Sequence, residues 1–398
     1  FLMEMENMDF PEAMKKLAER AHIDLPEPEK SAQVIAAEQT KQRLFDIHTA
    51  AGRYFYDCLQ EKQGEQARAY LAKRQMDPRM ARKFGIGYSP DSYDALFKHL
   101  KEKGFTLSDI LKSGLVLENK DGKGYHDRFR GRLMFPIFDV QGRVVGFGGR
   151  ILAKGEPKYL NSPETKLFDK SRNLYGLNYA RTSRAKYMLI CEGYMDVIAL
   201  HQAGFTNAVA SLGTAFTSQH AVLLKRYTDQ VVLTYDSDGA GVRAALRAIP
   251  ILKEVGMSVK VLDMKPYKDP DEFIKNLGQD EFQKRIDRAV NSFMFEISVI
   301  RSEYNMQDPE SKTGFYNAVA RKLLEFSEKL ERDNYTEAVA REYMIPLDDL
   351  KRLVATLGGQ IGVGVKPKET DGSVRAKQKK DKEDGIKKSQ RLLLTWLI

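Results

Sequence analysis

Three acidic residues stand where an α/β chain commonly turns from strand to helix. Glu192 ends the strand-forming run in "LICEGYMDV", and Asp236 and Asp238 end the run in "LTYDSDGAG". Each run stops on carboxylates followed by glycine. Carboxylates packed together repel and cannot all stay ionised cheaply. Hard cations with oxygen ligands relieve that repulsion, and Mg²⁺ takes a few carboxylates while leaving positions for substrate phosphate. Pairs of such ions activate an attacking oxygen and stabilise a leaving one. Gly193, Gly239 and Gly241 leave room for a phosphate chain to approach the backbone. Asp196 lies one helical turn past Glu192 and can face the same side. Asp269 and Asp271, in "KDPDEF", can complete an acidic rim. "DSDGAG" superficially resembles a calcium loop, but Ala240 and Arg247 fill two ligand positions and exclude an EF-hand. A lone Glu-Gly after a strand carries nothing, and "DPDE" is also helix-capping chemistry, which competes with the metal reading at Asp271. The specific signal is the combination: Glu at one strand end and Asp-x-Asp two strands later.

The elements that must position these groups follow from the periodicity. From Lys186 the chain alternates strand and helix patterns: "YMLICEG", "YMDVIALHQAG", "NAVASLG", "TSQHAVLLKRY", "QVVLTYDSDG", "AGVRAALRAIPILKEVG" and "SVKVLDM". This alternation predicts a parallel sheet with helices on both faces. Functional groups in such sheets gather outside the carboxyl ends of the strands. Upstream, "RFRGRLMFPIFDVQGRVVGFGGRIL" predicts a hairpin about "DVQGR", with Phe135 and Phe147 as core residues of its strands. "KYLNSPETKLFDKSRNLYGL" reads as a loop-rich basic segment.

The expected organisation runs in six parts. Residues 1–30 form a short helix and a Pro/Glu linker. Residues 31–185 form a mixed α/β subdomain, 186–271 the parallel α/β subdomain, and 272–358 a helical subdomain. Residues 359–385 read as a Lys-rich disordered linker, and 386–398 as the start of one more helix. The fold class is therefore α/β: an α+β first part, a central parallel sheet and a helical bundle last. Neither end carries the signals of a natural terminus, which is expected of a piece of a longer chain.

Composition narrows the functional classes. The chain has 398 residues, with two cysteines far apart and in no Cys/His cluster. That excludes a disulfide framework or zinc ribbon within it, and both thiols read as small buried hydrophobes. His126 and the other histidines show no metal spacing. No apolar run approaches a membrane span. The net charge is +9, and +8 of it falls between Tyr125 and Lys186, where thirteen Lys/Arg face five Asp/Glu. Such local excess is the footprint of a polyanionic partner, nucleic acid or nucleotide phosphate.

Together "EGYMDV", "ASLGTAFT" and "YDSDGAG" resemble the Toprim module of bacterial replicative primases of the DnaG type. "RFRGRLMFPI", "GRVVGFGGR" and "PKYLNSPET" resemble that family's basic motif, placed before Toprim as expected. The resemblance covers roughly residues 1 to 358. It implies an enzyme, a DNA-directed RNA polymerase that makes short RNA primers by nucleotidyl transfer, using two or more Mg²⁺ or Mn²⁺ ions. It implies that Glu192, Asp236 and Asp238 bind the catalytic metals, that Glu192 is the candidate proton acceptor, and that Asp196, Asp269 and Asp271 complete the site. It implies that Arg130, Arg132, Arg150, Lys158, Asn161 and Lys170 hold NTP phosphates or template. Tyr159 either stacks on a base or ribose, or packs. The implied partners are single-stranded DNA, NTPs, the RNA/DNA hybrid product and, through a C-terminal domain only begun here, the replicative helicase. The resemblance also implies that zinc belongs to an N-terminal domain absent from this sequence. The expected setting is the bacterial cytoplasm, with this piece monomeric. Two rival readings are a Toprim nuclease or topoisomerase-like enzyme, in which the basic motif has no place, and a non-catalytic scaffold, which leaves the acids unexplained.

Overall fold

The computed structural model describes residues 10–21, 23 and 31–361. The Pro/Glu linker over 24–30, most of the Lys-rich segment and the expected last helix lie outside the described residues. The chain divides into two compact units that meet in sequence at Ser292 and Phe293.

The first unit begins with helix α1 (Phe10–Ala21) and the long α2 (Ala32–Gln60), whose Ser31 cap accepts from the Val34 amide at 3.4 Å. Two short helices follow, α3 (Glu65–Lys73) and α4 (Pro78–Lys83). Asp77 caps α4 by accepting from Arg79 N, with Pro78 at the first helical position, where its missing N–H costs nothing. Strand β1 (Gly87–Ser89) and helices α5 (Ala95–Glu102) and α6 (Leu107–Lys112) lead to a two-stranded ribbon, β2 (Val116–Glu118) and β3 (Tyr125–Asp127). The predicted hairpin is β4 (Arg132–Phe138) and β5 (Val144–Ile151), paired antiparallel across the Asp139–Arg143 turn. Phe135 and Phe147 are fully buried in it. The basic segment read as loop contains a further strand, β6 (Tyr159–Asn161), which pairs with β5 and completes the sheet β1-β4-β5-β6. Three residues are too short to show a period of two, so this strand left no mark in the sequence.

After α7 (Leu177–Ala180) the expected alternation appears: β7 (Met188–Cys191), α8 (Tyr194–Gln202), β8 (Ala208–Ala210), α9 (Ser218–Lys225), β9 (Gln230–Leu233), α10 (Gly239–Glu254) and β10 (Ser258–Val261). These four strands are parallel. Helix α11 (Pro270–Asp287, kinked at Gly278) leads to β11 (Val290–Asn291), an antiparallel edge. The sheet order is β11-β10-β9-β7-β8. The chain therefore leaves β7 toward one edge and β9 toward the other, and the crevice between their carboxyl ends is a topological switch point.

Two expected boundaries need correction. The segments meeting at residue 185 share one core: Phe84, Leu133 and Phe135 cluster with Leu189, Cys191 and Val197. The helical part does not start at 272, because Phe273 and Phe282 of α11 are fully buried in that same core and Phe282 packs on Phe205 at 5.1 Å. The second unit comprises almost all of α12 (Ser292–Ser302), then α13 (Pro309–Leu323), α14 (Lys329–Glu342) and α15 (Leu347–Ile361), around Phe293, Phe315, Val319, Val339 and Leu350. Its last helix continues through residues 359–361, beyond the expected start of the linker. Both cysteines are buried free thiols. Among the described residues no helix is long and apolar enough to cross a membrane.

Candidate active site

β7 and β9 are adjacent and parallel, so the residues that follow them emerge side by side. Glu192 Oε1 accepts from the Asp236 amide at 3.0 Å, joining the two strand ends directly. Asp238 caps α10, accepting from Ala240 N at 2.8 Å and Gly241 N at 3.0 Å. Those two amides hold its carboxyl below the ordinary range, and it remains exposed. Asp196 accepts from Gly193 N at 3.1 Å at the start of α8. Burial, then the charges of Asp269, Asp236 and Asp271, push its carboxyl well above the usual value. Glu192 is raised by burial and by Asp236, and Asp236 by burial and by Asp269. Five of the six expected carboxylates thus crowd one rim, each repelling the next.

The sixth, Asp271, lies against the rim but is neutralised. Its Oδ2 receives Arg74 Nη1 at 3.2 Å and Lys275 Nζ at 2.6 Å, and the residue is 6% exposed. The helix-capping chemistry expected of "DPDE" falls on Asp269, which accepts from Glu272 N at 2.8 Å.

The donor set is all oxygen, which fits a hard divalent cation such as Mg²⁺. The crowding also fits, since a cation would relieve the repulsion that, after burial, raises Glu192, Asp196 and Asp236. Lys268 Nζ lies 3.7 Å from Asp236 Oδ2 and offsets part of that repulsion. Gly241 is required here: a Cβ would fall 2.0 Å from the Asp236 carbonyl oxygen and 2.8 Å from Glu192 Oε1. Among the described residues no three acidic, His or Cys side chains stand together as a group that could hold a metal ion. Mg²⁺ is usually held by one or two carboxylates plus water and phosphate.

The basic hairpin is locked to this rim through Tyr194. Its hydroxyl donates to Asn161 Oδ1 at 2.6 Å, and its ring stacks on Phe135 at 5.1 Å. Gly148 of β5 makes this possible, because a Cβ there would lie 2.5 Å from the Tyr194 ring. Asn161 donates in turn to Leu212 O at 2.6 Å, and Arg128 donates to Asn161 O at 3.0 Å.

The expected phosphate-binding residues separate into two groups. Arg130 and Lys158 are exposed, with the Arg130 guanidinium 5.8 Å from the Tyr93 ring. Lys170 is partly exposed, and its backbone carbonyl is bonded to His220. Arg132 is a correction. It is 6% exposed and donates to Gly149 O and Pro157 O, both at 3.0 Å, so its charge holds the loop that carries Lys158 and cannot reach a phosphate from this geometry. Asn161 spends both ends of its amide on Tyr194 and Leu212. Tyr159 packs: its ring lies 6.0 Å from Tyr194, and its hydroxyl accepts from Arg150 at 3.2 Å. Sequence reasoning missed Lys268, Arg128, Tyr194 and Arg74. Each acts through a partner distant in sequence, so no local pattern marks it.

Comparison with known proteins agrees with this arrangement. The family described as "DNA primase catalytic core, N-terminal domain" matches residues 54–181, and a Toprim-like family matches 189–274. A DNA primase of Clostridium acetobutylicum is 37% identical over 357 residues, which cover 89% of this chain and 59% of that protein. The chain thus spans less than two thirds of that curated relative. A solved DnaG primase catalytic domain bound to ssDNA is 32% identical with a TM-score of 0.65, covering 76% of this chain and 99% of that one. The RNA polymerase domain of Mycobacterium tuberculosis DnaG, in complex with a double-stranded DNA oligomer bearing an overhang, is 33% identical with a TM-score of 0.67, covering 75% and 96%. With acids at the switch point, a basic hairpin locked beside them and matches along both segments, the chain belongs to the DnaG primase family and carries its catalytic-core and Toprim regions.

Proposed function

We propose that this chain is the polymerising core of a primase, which extends RNA on a single-stranded DNA template by nucleotidyl transfer with release of pyrophosphate. The observation that carries the proposal is the rim of Glu192, Asp236 and Asp238 at the switch point, locked through Tyr194 to the basic hairpin. Glu192, Asp236 and Asp238, with Asp196 and Asp269, would hold Mg²⁺ or Mn²⁺. When bound, these ions stabilise the negative charge that develops on the attacking and leaving oxygens. Lys158 and Arg150 orient the triphosphate, the first as a point charge and the second as a planar fork. Arg130 and Lys170 extend the positive surface toward the template backbone, where contacts set affinity without reading sequence. Glu192 would accept the proton of the primer 3′-hydroxyl, a role supported by its position at the end of β7 beside the Asp236 amide. NTPs, the RNA/DNA hybrid, a helicase partner and a place at the replication fork belong to this same reading.

The test uses a primed single-stranded template, labelled NTPs and Mn²⁺ or Mg²⁺, beside a Glu192→Gln control. RNA added by the wild type alone supports the proposal. Metal-dependent DNA cleavage without RNA would replace it with a nuclease.

A further inference from the structure

We propose that Tyr70 and Arg74 are positioning residues that join the nucleotide-binding strand to the acidic rim. This inference rests on the polymerase reading. The Arg150 guanidinium lies 4.8 Å from the Tyr70 ring centroid and 5.4 Å from that of Tyr159. It also donates to the Tyr159 hydroxyl at 3.2 Å. Arg150 is therefore held by two rings and a hydrogen bond before any ligand arrives. On the other side of Tyr70, Arg74 Nε donates to the Tyr70 hydroxyl at 3.1 Å, and its guanidinium lies 5.7 Å from the same ring. Arg74 Nη1 then donates to Asp271 Oδ2 at 3.2 Å. The connection runs unbroken from Tyr159 through Arg150, Tyr70 and Arg74 to Asp271.

Two consequences follow. A free arginine must surrender rotamer freedom to grip a phosphate, and a clamped one has already done so. Tyr70 thus lowers the entropic cost of nucleotide binding at Arg150. Asp271 shares one oxygen between Arg74 and Lys275. With Lys275 already balancing that carboxylate, Arg74 adds a positive charge beside the rim and weakens its pull on divalent cations. Tyr70, on α3, and Arg74, just past its end, serve the positive half and the negative half of the site together.

The experiment uses the full chain as wild type, Tyr70→Leu, Tyr70→Phe, Arg74→Gln and Arg74→Lys. Affinity for a fluorescent ATP analogue is read by anisotropy, and extension kinetics on a primed template. Mn²⁺ binding without nucleotide is read by electron paramagnetic resonance, and unfolding midpoints by calorimetry. Tyr70→Leu is expected to raise the nucleotide Kd and KM about fivefold, with kcat at saturation within about twofold and the midpoint little changed. Tyr70→Phe keeps the ring and is expected to restore most of that affinity. Arg74→Gln is expected to tighten Mn²⁺ binding about threefold or more, and Arg74→Lys to return it toward wild type. The inference is overturned if Tyr70→Leu binds nucleotide as wild type does, or if Mn²⁺ affinity is unchanged in Arg74→Gln. It is also overturned if nucleotide affinity, kcat and midpoint all fall together. A wild type that binds nucleotide and makes no RNA rejects the polymerase reading alone, and one that binds no nucleotide rejects both.

Discussion

Asp238 caps a helix and borders the acidic rim, and an amide substitution separates the two roles. Asparagine caps about as well as aspartate, so Asp238→Asn keeps the start of α10 while removing the charge. We expect this variant to lose nucleotide incorporation and to bind single-stranded DNA as well as wild type or better, checked by extension and mobility-shift assays on one preparation. Lys158 is exposed at the edge of β6, on a loop held by Arg132. Lys158→Ala should raise the NTP concentration for half-maximal extension about threefold or more, and weaken DNA binding less. An unchanged NTP dependence would reject the proposed phosphate contact. Arg132 and Arg150 are a lesson in residue type. Both are arginines of the same basic segment, yet one is buried on backbone carbonyls and the other is clamped between rings.

At the scale of elements, the decisive joint is between β5 and α8. The Tyr194 ring lies between the hairpin and the parallel sheet, stacked on Phe135 and edge-on to Tyr175 at 4.7 Å. Its hydroxyl makes one hydrogen bond, to Asn161. Removing it leaves the Asn161 carbonyl oxygen without that donor, at a cost of about 1–3 kcal/mol. Tyr194→Phe should therefore lower the unfolding midpoint by about 2–12 °C, read by differential scanning calorimetry. The same variant should weaken nucleotide binding, because Asn161 sits on the strand that carries Tyr159. A midpoint equal to wild type would mean that this hydrogen bond does not hold the two sheets together.

At the scale of the molecule, the first unit's packed interior also buries ionisable groups that tie its stability to pH. His48 is fully buried against Phe147, with Nδ1 bonded to Leu44 O and Nε2 without a partner. Burial lowers its pKa from 6.5 to about 4. The unfolded chain then binds this proton more readily than the folded one. The stability that neutral His48 supports is complete above pH 6.5 and is lost as pH falls from there toward 4, by roughly 3 kcal/mol in all. Raised carboxyls such as Asp127, pushed to about 6 by burial, act in the opposite sense on acidification. A difference measurement cancels them. We expect the midpoint of His48→Gln relative to wild type to improve steadily between pH 6.5 and 4, and a constant difference would reject the linkage.

The sequence by itself determined the alternating βα segment, the hairpin and the strand-end carboxylates. Each rests on local periodicity or on the placing of carboxylates and glycine where a strand ends, as at Glu192, Asp236 and Asp238. It also determined the family, through ordered motifs in both segments. Only the tertiary structure decided that β7 and β9 are neighbours, which brings Glu192 against the Asp236 amide. It decided that Asp269 caps a helix while Asp271 pairs with Lys275 and with Arg74, the latter 197 positions away. It decided that Arg132 turns inward and that α11 belongs to the first core. These outcomes depend on packing between distant segments, and a local pattern carries no information about which distant group will arrive beside it.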